Sequence, residues 1–412
     1  MRPGDRVRVT TEAVEHEGLV MPSTTEDHLV IKGDDGYNVG IDRASAEIEV
    51  LESGNEAVDT APDDTSDVTF DDDLPTVALI STGGTIASTV DYRTGAVSAR
   101  FDAEDVLRAV PELAGRANYR GRVVANVLSE NMTPTVWQDL AEVVFEELNR
   151  GVDGVVVMHG TDTMQHTAAA LSFMVDTPVP IVLTGSQRSA DRPSSDNVMN
   201  AVCAVEAATA DMAGVVVCMH ATESDDRCAL HLGTRVRKAH TSRRDAFETV
   251  GNHPVGTVDY DDGTVNFRRD LPGRGAAEPD LAADLDPDVE LIKVAPGMDP
   301  SIYSWLEGCS GVVIEGTGLG HIHTDHIPLV GDLVEAGTKV VMTSQCLEGR
   351  VCDRVYDTGR DLLDAGVIEA GDTLPETALV KLMWALANTD DIATTMRTPL
   401  AGELTPRSVP WT

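Results

Sequence analysis

Apolar and polar positions along this 412-residue chain fall into two regimes. Up to residue 52 they alternate with period two in short segments: Val7-Arg8-Val9, Gly18-Leu19-Val20, His28-Leu29-Val30-Ile31, Tyr37-Asn38-Val39-Gly40-Ile41 and Ile48-Glu49-Val50. Such alternation marks half-buried strands. Gly33-Asp34-Asp35-Gly36 reads as a turn, and five short strands predict a small β-barrel. From Val77 the pattern changes to strand, loop, helix. Continuous apolar runs recur at Val77-Ala78-Leu79-Ile80, Val123-Val124, Val155–Met158, Ile181-Val182-Leu183 and Val215-Val216-Val217. They read as strands buried on both faces. The clearest helix starts at Thr133-Pro134, an N-cap followed by proline at the first helical position, with Val136, Leu140, Val144 and Leu148 on one stripe. A second set follows at Leu291–Val294, Val312–Ile314 and Val340–Met342, with helices expected near 300–308, 325–336, 358–365 and 375–388.

Alternating strands and helices predict an α/β fold with mostly parallel sheets covered on both faces. The expected division is a β module over 1–52, an acidic linker over 53–75, an α/β domain over 76–270 and a second α/β domain over 285–412. The linker assignment rests on Asp63-Asp64 and Asp71-Asp72-Asp73 in a stretch poor in apolar residues. The two α/β domains are set apart by a stretch rich in Asp, Gly and Pro, roughly 270–288.

Composition narrows the functional classes. The chain has 69 acidic against 31 basic side chains, a formal charge of −38, and only five lysines: Lys32, Lys238, Lys293, Lys339 and Lys381. An acidic, lysine-poor surface suits solubility at high salt, where self-repulsion is screened. It excludes nucleic-acid binding by the bulk surface, because phosphate affinity needs a basic footprint. The six cysteines form no C-x-x-C pair, which argues against a zinc knuckle or disulfide scaffold and for a reducing cytoplasm. No apolar signal core and no 18-residue apolar run is present, so no membrane span is expected.

Two strand-end loops carry the candidate chemistry. Ser81-Thr82-Gly83-Gly84-Thr85-Ile86-Ala87 follows the first apolar run, and His159-Gly160-Thr161-Asp162-Thr163-Met164 follows the third. Ligands bind beyond the carboxyl ends of strands in open parallel sheets, and paired glycines let backbone approach a ligand. Ser129-Glu130 follow Val127-Leu128, read as a strand end. A threonine alcohol needs a base near neutral pH. Lys238, in Val236-Arg237-Lys238-Ala239-His240, is the candidate base, oriented by Asp162, with Thr161 relaying the proton and loop N–H groups holding the oxyanion. His321, His323, Asp325 and His326 have a spacing that lets three nitrogens converge, but they follow a glycine-rich loop and read as loop or interface histidines. No metal is assigned.

The pair T-G-G-T-I-A at 82–87 and H-G-T-D-T-M at 159–164 resembles the bacterial-type L-asparaginase and glutaminase family, over residues 75–400. The resemblance implies Thr85 as primary nucleophile, with Thr161, Asp162 and Lys238 completing the catalytic set. It implies Tyr92 as the tyrosine that closes over substrate, and Ser129 and Glu130 as the pair that holds the substrate's α-carboxylate and α-amino group. It implies no catalytic metal. The N-terminal β module, Glu at position 130 and the basic run Arg237 to Arg244 are similar to the D-subunit family of archaeal glutamyl-tRNA(Gln) amidotransferases. That resemblance implies that ammonia from glutamine or asparagine passes to a partner, the E subunit, which binds Glu-tRNA(Gln) and uses ATP and Mg. It further implies a homodimer core within a heterotetramer, and contacts between Arg243 or Arg244 and a partner subunit or the substrate site. A free-standing asparaginase or glutaminase is the alternative reading.

Overall fold

In the computed structural model, residues 5–11, 14–20, 28–33, 38–52, 71–83, 110–188, 194–269, 271–352 and 354–407 are described. The N-terminal unit comprises β1 (Arg6–Thr11), β2 (Glu15–Val20), β3 (His28–Gly33), β4 (Asn38–Asp42) and β5 (Ala46–Glu52). All pairings are antiparallel, in the order β4-β3-β2-β1-β5. Alternate positions point inward, and Val7, Val9, Val20, Leu29, Ile31 and Ile41 form one cluster, with Ile48 packed against it. Ile41 on β4 and Ile48 on β5 bring both edge strands of the sheet to this one cluster.

The main body begins with β6 (Thr76–Ser81), β7 (Asn118–Val123), α1 (Pro134–Asn149), β8 (Gly154–Met158), α2 (Met164–Met174), β9 (Val175–Asp176), β10 (Pro180–Thr184), α3 (Asn197–Thr209) and β11 (Gly214–His220). It continues through β12 (Arg227–Leu232), β13 (Val236–Lys238), β14 (Phe247–Thr249), β15 (Gly256–Asp259) and β16 (Val265–Phe267). Strands β7-β6-β8-β10-β11 are parallel, and β12, β15 and β16 extend the sheet antiparallel to eight strands. The central strands are buried along their length because helices cover both faces. Ala78, Ile80, Val155 and Val157 pack beneath α1 and α2, while Val77, Leu79, Val156 and Met158 pack beneath α3. In α1, Thr133 caps the helix by accepting from the Val136 N–H, and Leu140, Val144 and Leu148 are buried.

A second sheet follows β17 (Asp280–Leu281), with β18 (Val289–Lys293), β19 (Gly311–Gly316), α4 (Ile327–Glu335), β20 (Lys339–Ser344), α5 (Asp357–Asp364), β21 (Ile368–Glu369), α6 (Pro375–Asn388) and α7 (Ile392–Arg397). Its four strands are parallel in the order β18-β19-β20-β21. The face of this sheet covered by α6 shares a single apolar cluster with α1, α2 and the first sheet.

Several local expectations are corrected. The strand expected at Val123-Val124 lies earlier, and Val123, its last residue, is 42% exposed because β7 is an edge strand. Val127-Leu128 is loop rather than strand, with Leu128 59% exposed. The helix expected near 300–308 is a 3-10 segment, Pro300–Leu306. Residues 270–288 contain β17, which pairs with β9. At the end of the expected linker, whose residues 53–70 lie outside the described ones, the Asn118 side chain donates to the carbonyls of Asp71 and Leu74 and accepts from the Asp71 N–H.

Lys381 and Glu403 form an ion pair at 2.5 Å with both side chains fully buried. Glu403 also accepts from the Leu400 and Ala401 N–H groups, so it ties the last described turn to α6. Removing one partner of such a pair leaves an uncompensated buried charge. Glu403→Ala is therefore expected to lower unfolding free energy by about 3–5 kcal/mol in denaturant titration, and the double variant Lys381→Met/Glu403→Leu to recover most of that loss.

Candidate active site

The site lies where three parallel strands end. Beyond β6, the Thr82 N–H donates to the Met158 carbonyl at 3.1 Å, which holds the first loop beside the tip of β8. Beyond β8, the His159 N–H donates to the Thr184 carbonyl at 2.9 Å and fastens the second loop to β10. Gly83 has φ +112°, and a Cβ there would stand 2.4 Å from the Val127 carbonyl oxygen. Gly160 is equally constrained, since a Cβ would stand 2.8 Å from the Ser129 Cβ. These glycines bring the 127–129 loop directly against both strand tips. The Thr163 hydroxyl donates to the Ser129 carbonyl at 2.6 Å and closes the arrangement.

Lys238 arrives from elsewhere. It ends β13, a three-residue strand that pairs only with β14. Its Nζ donates to Thr161 Oγ1 at 2.9 Å and to Asp162 Oδ1 at 2.6 Å. The lysine side chain is 10% exposed and the aspartate 66% exposed, so the cluster lies at the floor of an open face. A hydroxyl, an amine and a carboxylate in hydrogen-bond contact can pass a proton between an alcohol and a leaving group. Ser129 is buried beside Gly160, and Glu130 is exposed next to it. Thr85 and Tyr92 lie outside the described residues.

Behind Gly160, His159 is buried and fixed at both nitrogens. Its Nδ1–H donates to the Gly160 carbonyl at 2.6 Å, and Nε2 accepts from the Thr167 hydroxyl at 2.8 Å. The Trp137 indole N–H donates to the same Thr167 oxygen at 2.9 Å. Burial pushes the His159 pKa down to about 4, which keeps the ring neutral. Sequence reasoning misses Thr167, Thr163 and Trp137 as supports of this loop; the four-residue spacing of Thr163, the N-cap of α2, and Thr167 is the available signal for the two threonines.

The basic run after Lys238 is neutralised locally. Arg243 pairs with Asp245 and Glu223, and Arg244 with Asp225 at 2.5 Å and the Glu223 carbonyl. Their charge is thus turned onto this chain's own carboxylates. His323 accepts from the Asp325 N–H at 3.2 Å through Nδ1, and the His323 and His326 rings lie 5.0 Å apart. Among the described residues no group of three or more His, Cys, Asp or Glu side chains is arranged to hold a metal ion.

Known proteins share the fold. Residues 76–272 match the family described as asparaginase, N-terminal, and 288–398 match the glutaminase/asparaginase C-terminal domain. The L-asparaginase of Thermococcus kodakarensis superposes with a TM-score of 0.71 at 35% identity, covering 80% of this chain and 99% of that one. A probable cytoplasmic L-asparaginase from Campylobacter jejuni gives 0.65 at 29% identity, covering 78% and 99%. The fold is therefore that of an asparaginase-type α/β enzyme.

Residues 1–51 match a further family, the GatD N-terminal domain. The D subunit of the glutamyl-tRNA(Gln) amidotransferase of Halobacterium salinarum is 68% identical over 100% of this chain and 99% of its own length. That of Methanosarcina mazei is 52% identical, over 95% and 94%. The chain belongs to the D-subunit family of glutamyl-tRNA(Gln) amidotransferases.

The buried His159 makes stability depend on pH. Its folded pKa of about 4 lies below the ordinary histidine value of 6.5 that applies to the unfolded chain. The unfolded state therefore binds more protons between these values. Stability from this group is complete above pH 6.5, falls as pH drops, and is lost by pH 4, a change of about 3 kcal/mol. His159→Gln is expected to flatten that part of a stability–pH profile measured by urea unfolding.

Proposed function

We propose that this chain is the amide-hydrolysing subunit of a tRNA-dependent amidotransferase, releasing ammonia from glutamine or asparagine. The observation that carries the reading is the contact of Lys238 Nζ with both Thr161 and Asp162, beside Ser129 at converging strand tips. In this reading Thr85 attacks the carboxamide carbon while an amine relay through Thr161 and Lys238 takes its proton. Asp162 orients the lysine. As the tetrahedral intermediate collapses, the relay returns the proton to the leaving nitrogen, ammonia departs, and water hydrolyses the resulting ester to the free acid. Tyr92 closes over the substrate, and Ser129 and Glu130 hold its α-carboxylate and α-amino group. A carboxylate at 130 favours the ammonium end of the substrate. No metal or other cofactor is required of this chain.

The N-terminal match and the end-to-end coverage of the D-subunit relatives favour a subunit over a free-standing asparaginase. The proposed arrangement is a homodimer core joined to an E subunit in a heterotetramer, with ATP and Mg used by the E subunit to amidate Glu-tRNA(Gln). The proposed organisation is a β module over 1–52, a linker over 53–75 and asparaginase-like domains over 76–270 and 285–412. The compartment proposed is the cytoplasm; among the described residues no helix is long and apolar enough to cross a membrane. With a formal charge of −38, this chain leaves tRNA to its partner.

Ammonia release from glutamine and asparagine, measured with the chain alone and with its partner, tested with and without tRNA and ATP, decides between the readings. Stimulation by the complete system is expected. Full-rate hydrolysis indifferent to every addition would sink the subunit reading. Lys238→Met and Thr161→Ala are each expected to slow ammonia release by about 10²–10⁴-fold without loss of folding.

A further inference from the structure

Lys238 stands on a strand with little support of its own. Strands β13 and β14 form a two-stranded sheet apart from the eight-stranded one, and an isolated pair of this size is marginal in water. Val236 and Phe247 are buried and set the depth of the hairpin in the core. Their burial opposes a slip by one residue, which would turn both out of the core. A slip by two residues keeps each side chain on its own face and moves the lysine by about 6.6 Å, more than its contact with Thr161 tolerates.

What resists such a slip comes from far along the chain. Successive residues of an extended segment face opposite ways. Within β13, Val236 packs in the shared core and Lys238 reaches Thr161 and Asp162, while Arg237, and Arg235 in the turn just before the strand, reach the segment beyond β21. Arg235 is 1% exposed, and its guanidinium donates through Nη2 to Asp372 Oδ2 at 3.0 Å, through Nη1 to the Asp372 carbonyl at 3.1 Å and through Nε to the Gly402 carbonyl at 3.1 Å. Asp372 is held in turn by the Thr405 N–H at 2.9 Å, the Thr405 hydroxyl at 2.5 Å and the Arg350 guanidinium at 3.3 Å. The Thr234 hydroxyl donates to the Ala401 carbonyl, the Thr377 hydroxyl donates to the Thr234 carbonyl, and Arg237 lies 3.6 Å from Glu376. Three of the four residues before Lys238 are thus tied to residues 372–402. Among these ties Arg235 alone makes three hydrogen bonds, from a guanidinium that is itself buried.

We propose that Arg235, clamped by Asp372 and the Gly402 carbonyl, is a positioning residue that sets the register of β13 and so holds the Lys238 amine opposite Thr161 and Asp162. This rests on the amidase reading given above. A planar fork fixes both distance and angle, which the single ammonium of lysine does not. Arg235→Lys keeps the charge and loses the fork. Asp372→Asn keeps the shape and loses the charge.

The test uses the full chain with ¹³Cε-labelled lysine, whose five signals report on five lysines. Lys238 is assigned from the spectrum of Lys238→Met. Lys381, buried against Glu403, reports on the fold of the tail. In Asp372→Asn, and in Arg235→Lys, which adds a sixth signal of its own, the Lys238 signal should move while the Lys381 signal stays. Over the same variants, kcat for ammonia release should fall about 10–100-fold with KM changed less than about twofold. An unmoved Lys238 signal overturns the proposal, whatever happens to kcat. Loss of the Lys381 signal together with that of Lys238 also overturns it, because Arg235 would then serve the folding of the tail. Full activity in Lys238→Met would instead overturn the amidase reading, and the lysine spectra would still report whether Arg235 positions the strand.

Discussion

The ammonium of Lys238 joins two parts of the chain that share no strand ladder. On one side are Thr161 and Asp162 at the end of β8; on the other is the hairpin β13–β14. A buried amine with two oxygen partners is stable only where those oxygens are held still. The surrounding structure can be understood as the means of holding them. Hydrogen bonds from Thr82 and His159 stitch three strand tips together, and Gly83 and Gly160 remove the side-chain bulk that would force the adjoining loop away. Thr167 and Trp137 then fix the histidine behind the loop. Each device is local, and each acts on the geometry of the same few atoms.

Charge is distributed with similar economy. The protein is strongly acidic, yet its arginines near the site are engaged by its own carboxylates: Arg235 by Asp372, Arg237 by Glu376, Arg243 by Asp245 and Arg244 by Asp225. A basic run in the sequence is therefore no basic patch in the fold. Positive charge that is already compensated offers little to a polyanion, which agrees with a division of labour in which another chain handles RNA.

Much of the architecture was legible because it follows from short-range pattern. The capped start of α1, the buried central strands and the alternating strands of the N-terminal unit all reflect periodicity and turn chemistry. That the loop at 159–164 follows a buried strand was legible from the apolar run before it. Val127-Leu128 misled because two apolar residues were read as a strand end, whereas Leu128 faces solvent. The Arg235 contacts were out of reach for a different reason. Their partners lie 137 and 167 residues further along, and nothing local distinguishes this arginine from a surface one. Sequence spacing also gave no sign that Ser129 would touch Gly160, since that contact depends on the close approach of two loops.

The apolar cluster shared by both sheets carries a consequence for motion. Residues of α1 and α2 meet residues of α6, β19 and β20 in one continuous interior. Close-packed interiors of this kind do not slide or open progressively. Among the described residues the two sheets thus form one body, and swinging one against the other, as many two-lobed enzymes do to enclose a ligand, would break that shared interior.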